Sequence, residues 1–130
     1  MPFYLITYKV SYRYHSGANI SLNPVLRSLG KDATENHVAI NRDTAIKMGI
    51  RDGTMLIVES RIGKVKGKAR LTEGIRPDTV AVSNSYGQWS PGLPEHTHKG
   101  MWINQVLESN SDVISGMESY NDTKCKVYKV

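Results

Sequence analysis

Thr54-Met55-Leu56-Ile57-Val58-Glu59-Ser60-Arg61-Ile62-Gly63-Lys64-Val65-Lys66-Gly67-Lys68-Ala69-Arg70-Leu71-Thr72 decides the fold. Its first third is a short apolar run rich in β-branched residues, which reads as a strand from Thr54 to Ser60. Arg61-Ile62-Gly63 is a tight turn. From Lys64 the pattern changes to strict alternation. A period of two puts Lys64, Lys66, Lys68 and Arg70 on one face and Val65, Gly67 and Ala69 on the other. Two strands joined by so short a turn form a hairpin. The cationic face is read as solvated, with a phosphate-facing stripe as the alternative.

The same signals recur outward from this hairpin. Upstream, Asn41 caps a helix over 42–48, with Asp43 in the first turn suiting the helix dipole. Gly49 ends it, and Ile50 is placed for the apolar contact that accompanies such an ending. Arg51-Asp52-Gly53 is a turn. Residues 37–40 form a short strand. Asn23 caps a second short helix, with Pro24 at its first position and Gly30 behind it. Phe3 to Val10 is the opening strand. Downstream, Thr79 to Val82 and Thr123 to Val130 read as strands, and 101–107 as a short helix. Ser83 to Gly100 is a long loop without periodicity, of the kind that usually carries function. About six short strands and two or three short helices cannot build a sheet covered on both faces. A small closed or nearly closed barrel fits better, as one domain over residues 1–130.

Composition narrows the function. The chain has 130 residues, 39% of them hydrophobic, enough for a globular core. Its longest apolar runs are far too short to span a bilayer, so no membrane insertion is expected. Phe3 to Thr7 has no cationic segment before it, so it is not read as a signal peptide. The expected location is cytoplasmic and soluble, or exported if a parent enzyme carries an upstream signal. The net charge of +5 is uneven: residues 1–70 carry +7 and residues 71–130 carry −2. The basic part could face nucleic acid, phosphate or an acidic partner.

Few residues point to chemistry of their own. Lone Cys125 excludes an internal disulfide and an all-cysteine metal site. Its alternation with Val127 marks it as an inward-facing small residue. His96 and His98 offer two imidazoles with only Glu95 nearby, too few for zinc, and are read as exposed loop histidines. There is no nucleophile elbow, Walker loop or dinucleotide glycine fingerprint. The loop Tyr14-His15-Ser16-Gly17-Ala18-Asn19 is different: it gathers hydrogen-bond donors and a flexible glycine behind the first strand, suited to a polar ligand edge or a phosphate.

Read in order, these segments resemble the C-terminal molybdopterin-dinucleotide-binding domain of the dimethyl sulfoxide reductase family. Leu5-Ile6-Thr7-Tyr8-Lys9 is similar to the family's opening strand. Tyr14-His15-Ser16-Gly17 is similar to its aromatic-His-Thr-Gly loop, and Asn23-Pro24-Val25-Leu26 to the segment that follows. Val38-Ala39-Ile40-Asn41, Ala45, Met48-Gly49-Ile50, Asp52-Gly53 and Val58 match its central block. Tyr86-Gly87-Gln88-Trp89-Ser90-Pro91-Gly92, Asn104, Leu107, Ile114-Ser115-Gly116-Met117 and Tyr120 complete the series. The Gly-Gln-Trp-Ser-Pro-Gly loop is most similar to the polysulfide and thiosulfate reductase branch.

The resemblance implies a six-stranded double-psi β-barrel, mostly β with short helices. It also implies a role: binding and capping the molybdopterin guanine dinucleotide of a molybdenum or tungsten oxidoreductase, without catalysis by this domain alone. The cofactor-binding residues it implies are Lys9, Tyr14, His15, Ser16, Gly17, Asn19, Trp89, Asn104 and Tyr120. Lys9 stands where arginine is common, which turns a bidentate phosphate contact into a point-charge contact. Thr54 stands where Asp is usual, and Glu118 where Pro is frequent. The implied partners are the remaining domains of a larger catalytic subunit, which hold the metal, and an electron-transfer iron–sulfur subunit. The alternatives are a small subunit of a formylmethanofuran-dehydrogenase-like complex, a protein-interaction barrel, or a nucleic-acid-binding barrel using the Lys64 to Arg70 stripe. The last lacks the aromatics that single-strand binders interleave with their cations, so nucleic acid is not the expected partner.

Overall fold

In a computed structural model, which describes residues 2–13, 15, 17, 22–29, 34–119 and 121–130, six strands close on themselves. They are β1 (Phe3–Tyr8), β2 (Val38–Asn41), β3 (Met55–Glu59), β4 (Lys64–Thr72), β5 (Thr79–Ser83) and β6 (Thr123–Lys129). Their order around the barrel is β1-β5-β2-β4-β3-β6. β1 with β5 and β2 with β4 are parallel, and the other neighbours are antiparallel. This is the closed six-stranded barrel that the sequence implied, and closure leaves no free sheet edge.

The opening hairpin forms with Val58 opposite Val65 and Glu59 opposite Lys64. Ser60 N donates to Gly63 O at 3.0 Å across its turn. Alternation sends Leu56, Val58, Val65 and Ala69 into the core and leaves Lys64, Lys66 and Arg70 outside. The cationic face is partly neutralised. Lys64 lies 3.4 Å from Glu59, and Lys68 lies 3.2 Å from Glu35. Gly67 has a steric reason: a Cβ there would sit 2.3 Å from Met101 Sδ. The methionine fills the space that a side chain on β4 would need.

Leu5, Ile40, Leu56, Val58, Val80, Val82 and Cys125 are fully buried and form the barrel core. Cys125 faces inward as its alternation predicted, and burial pushes its thiol up to about 12. The helices are short. In α1 (Pro24–Arg27) the Asn23 side chain accepts from the N–H groups of Val25 and Leu26. In α2 (Arg42–Lys47) Asn41 does the same for Asp43 and Thr44. Gly49, at φ +65°, turns the chain back so that Ile50 N reaches Ala45 O at 2.8 Å. Gly30, expected to end α1, lies outside the described residues.

Residues 101–107 do not form the helix expected of them. They make only a 3-10 turn at Ile103–Gln105. The cause is tertiary. The side chain of buried Asn36 binds both backbone groups of Met101, donating to its O at 3.1 Å and accepting from its N at 2.6 Å. It also donates to Ser83 O at 2.7 Å. The chain is pressed so closely onto the hairpin turn that a Cβ on Gly63 would meet Gln105 O at 2.4 Å.

Candidate cofactor cavity

Parallel pairing of β1 with β5 brings their C-terminal ends together. Asn84 N donates to Tyr8 O at 2.9 Å, extending the ladder one residue beyond β5. Lys9 and Asn84 therefore leave the barrel side by side, each starting a loop. Between these loops lies a cavity of about 380 Å³, within the range of small-molecule sites. Lys9 and His15 come from the first loop, and Asn84, Ser85, Tyr86 and Gln88 from the second. Trp102, Ile103 and Asn104 close it.

The two loops are tied where each bends sharply. His15 has φ 50° and Ser85 φ 71°, the two non-glycine residues at positive φ among those described. Such backbone costs on the order of 1–3 kcal/mol per residue and tends to collect at binding sites. Ser85 Oγ donates to His15 O at 3.3 Å. Behind them, Arg13 is buried at 3% exposure. Its guanidinium lies 3.9 Å from the centre of the Tyr86 ring and donates from Nη2 to Ser85 O. Burial lowers the pKa of Arg13, and the phenols of Tyr86 and Tyr12 oppose that shift. Gly87, at φ +64°, lets the second loop cross the 101–106 segment, because a Cβ there would meet Trp102 N at 2.5 Å.

Of the residues singled out from sequence, Lys9, His15 and Asn104 meet in this cavity. Gly17 stands behind it, against Arg13, where a Cβ would come within 2.8 Å of the guanidinium. Trp89 is not in the cavity wall. It is 65% exposed and packs on Trp102, ring centres 5.7 Å apart, over an adjoining hollow. Tyr14, Ser16, Asn19 and Tyr120 lie outside the described residues. The basic half of the chain contributes less charge than its +7 suggested: among described residues, Lys9 is the lysine or arginine in the wall.

Sequence reasoning missed Asn84, Ser85 and Trp102, and saw Tyr86 and Gln88 only as parts of a motif. Asn84-Ser85 directly behind a strand was a legible polar signal. That this strand would lie parallel to β1 was not. The histidine pair is also more engaged than expected. His96 is half-buried, with Nε2 3.1 Å from Arg27 Nη1, while His98 is exposed. Among the described residues no group of three or more His, Cys, Asp or Glu side chains is gathered for a metal ion.

Chemically, the cavity offers one ammonium, three carboxamides, an imidazole and two aromatic rings. Carboxamides pair with the donor and acceptor edges of a heterocycle, and the half-exposed Trp102 gives it a face to stack on, while the Tyr86 ring is covered by Arg13. One lysine suits a single phosphate group.

Comparison with known proteins points the same way. The family model described as "Molydopterin dinucleotide binding domain" matches residues 3–124. A sulfite dehydrogenase subunit from Allochromatium vinosum is 29% identical, over 98% of this chain and 14% of that protein. The thiosulfate reductase molybdopterin-containing subunit of Salmonella typhimurium is 33% identical, over 87% of this chain and 14% of that protein. The chain thus spans about one seventh of the length of these relatives. Acetylene hydratase from Pelobacter acetylenicus has the same fold, with a TM-score of 0.75 at 17% identity, over 99% of this chain and 18% of that one.

Proposed function

The chain belongs to the molybdopterin dinucleotide binding domain family, and on that premise we propose that the cavity between its two strand-end loops holds one end of a molybdopterin guanine dinucleotide. The observation that carries this reading is the donor set of the wall. Asn84, Gln88 and Asn104 suit the polar edges of a guanine or pterin ring, Trp102 offers its face a ring to stack on, and Lys9 suits a phosphate oxygen. His15 and, where the chain turns beside it, Ser85 fix the mouth. The bound group supplies the redox chemistry of its metal. The chain's own residues bind, orient and shield that group.

The cavity opens at one end of the barrel, which supports a second part of the reading. This domain acts as a cap and is the C-terminal part of a larger catalytic subunit, whose other domains hold the metal and hand electrons to an iron–sulfur partner. The size of the relatives, about seven times that of this chain, supports it. The two relatives are named for sulfite and thiosulfate, and this supports a parent enzyme acting on a sulfur oxyanion.

The test uses molybdopterin guanine dinucleotide released from a denatured molybdoenzyme, titrated into the chain while tryptophan fluorescence is followed. Saturable quenching is expected, weakened roughly ten- to a hundredfold by Lys9→Met, the loss of a charge-assisted hydrogen bond. Equal affinity for the wild type, Lys9→Met and Asn104→Ala would remove the cavity from the reading.

A further inference from the structure

Arg13 lies against the site without lining it, and its contacts reach both loops. We propose that Arg13 is a positioning residue: its guanidinium locks the first loop to the second and thereby sets where His15, Ser85 and Gln88 face the ligand. The inference rests on the assignment of the cavity as the dinucleotide site.

Four observations meet at this side chain. It is 3% exposed, so it does not serve as a free surface cation. Its Nη2 holds Ser85 O, the carbonyl of a residue kept at φ 71°. Its plane is packed on the Tyr86 ring at 3.9 Å. On the first loop, Gly17 is close enough that any side chain there would strike Nε and Nη2 at 2.8 Å. Arg13 N also donates to Val10 O at 3.0 Å, so the turn that starts the first loop presents the guanidinium. A residue bonded to one strained loop, stacked on that loop's aromatic ring and fitted against a glycine of the other couples them. Ser85 completes the link by donating to His15 O.

The shape of the group matters as much as its charge. A planar fork can stack on Tyr86 and donate in its own plane to Ser85 O at once. An ammonium keeps the charge but cannot do both. Arg13→Lys should therefore fail to rescue, although Lys suffices for a role as a buried cation.

The experiment has a ligand-free readout and a ligand readout, both on the full 130-residue chain. In the absence of any ligand, NMR signals of the Ser85, Tyr86 and Gln88 amides and of the His15 ring are compared between wild type and Arg13→Lys. Displacement of these signals, with the amides of β3 and β4 unmoved, is the expected result. Unmoved loop signals, whatever happens to Tm, would overturn the inference, because a purely structural arginine changes stability and not the folded loop. If Arg13→Lys does not fold, Gly17→Ala, whose Cβ would come within 2.8 Å of the guanidinium, must displace the Ser85, Tyr86 and Gln88 amides of the second loop, since its own strain at φ +69° acts on the first loop. Guanosine diphosphate is then the binding probe. Arg13→Lys should weaken it roughly three- to tenfold, the scale of losing the pre-ordering of a few side chains. In Arg13→Gln, which removes the charge, the salt dependence should not change, since Arg13 stands outside the cavity wall. A flattened salt dependence would make Arg13 a direct phosphate ligand and overturn its positioning role. Failure of the wild type to bind guanosine diphosphate counts against the cavity assignment, while the ligand-free signals still decide the coupling. Lys66→Gln, on the exposed face of β4, serves as the unchanged control.

Discussion

The β3–β4 hairpin and the segment from Asn84 to Leu107 are neighbours built on opposite rules. The hairpin is regular. Each inward residue follows from alternation, and its turn closes through a backbone bond between Ser60 and Gly63. The long segment has no strand, and its only regular pieces are 3-10 turns, yet it buries Tyr86, Met101, Ile103 and Val106. Its order comes from individual contacts: Asn36 on the Met101 backbone, Met101 in the gap above Gly67, Gly87 against Trp102. Regular hydrogen bonding makes a scaffold that tolerates change at any one outer position. A segment held by single contacts can place side chains around a cavity that a strand cannot, but each contact is a point of failure.

Breaking the scaffold should have the largest effect. Leu56 is fully buried in β3, and Leu56→Ala should cost about 2–5 kcal/mol through lost contact and a cavity. Denaturant melts followed by Trp fluorescence and by far-ultraviolet circular dichroism should shift together, because the barrel unfolds as a unit. Separate shifts would show that hairpin and loop are independent.

Breaking the segment should cost less and act locally. Asn36→Ala strands Met101 N, Met101 O and Ser83 O in a buried place. One buried group left without its hydrogen bond costs about 1–3 kcal/mol, and water entering the gap recovers part of the total. The expected signature is faster hydrogen exchange at Met101 and around the cavity, with β3 and β4 still protected. Uniform loss of protection would mean that Asn36 supports the whole barrel and not just the segment.

These two regions also explain what the sequence could and could not disclose. The hairpin was legible because period two survives in a barrel wall with one wet face. Both helix starts were legible because Asn23 and Asn41 act within three residues of themselves. His15 stood out already in its donor-rich loop, whereas Lys9 and Asn104 were reached through the family resemblance, which carries tertiary information that spacing lacks. Asn84 and Ser85 were missed because their position depends on β5 pairing with β1, 71 or more residues away in sequence. Ser85 at positive φ has no sequence mark at all. The helix expected over 101–107 failed because Asn36, some 65 residues earlier, pins the Met101 backbone and takes the carbonyl that a helix would have used. Trp89 illustrates a motif residue that lies beside the cavity and supports its wall through Trp102.

The smallest expected effect lies on the wet face of the hairpin, where the scaffold's charges are easiest to change. Glu59 accepts a hydrogen bond from Tyr128 Oη at 2.6 Å and lies 3.4 Å from Lys64 Nζ. The Tyr128 bond first, then Lys64, holds the Glu59 carboxyl below its ordinary value of 4.5. A carboxyl whose pKa is lower folded than unfolded stabilises the fold above the unfolded pKa. That contribution is lost as pH falls through the folded value. The Tm difference between wild type and Glu59→Gln should therefore be constant near neutral pH and shrink once pH drops below about 4.5. It should also shrink with added salt, as an exposed ion pair does. A difference that grows on acidification would reverse the sign assigned to Glu59. A difference that vanishes in salt at neutral pH would make Lys64, and not Tyr128, the dominant partner. Neither change should touch the exchange rates around the cavity, and that separation is the sharpest test that hairpin and loop segment are held by different means.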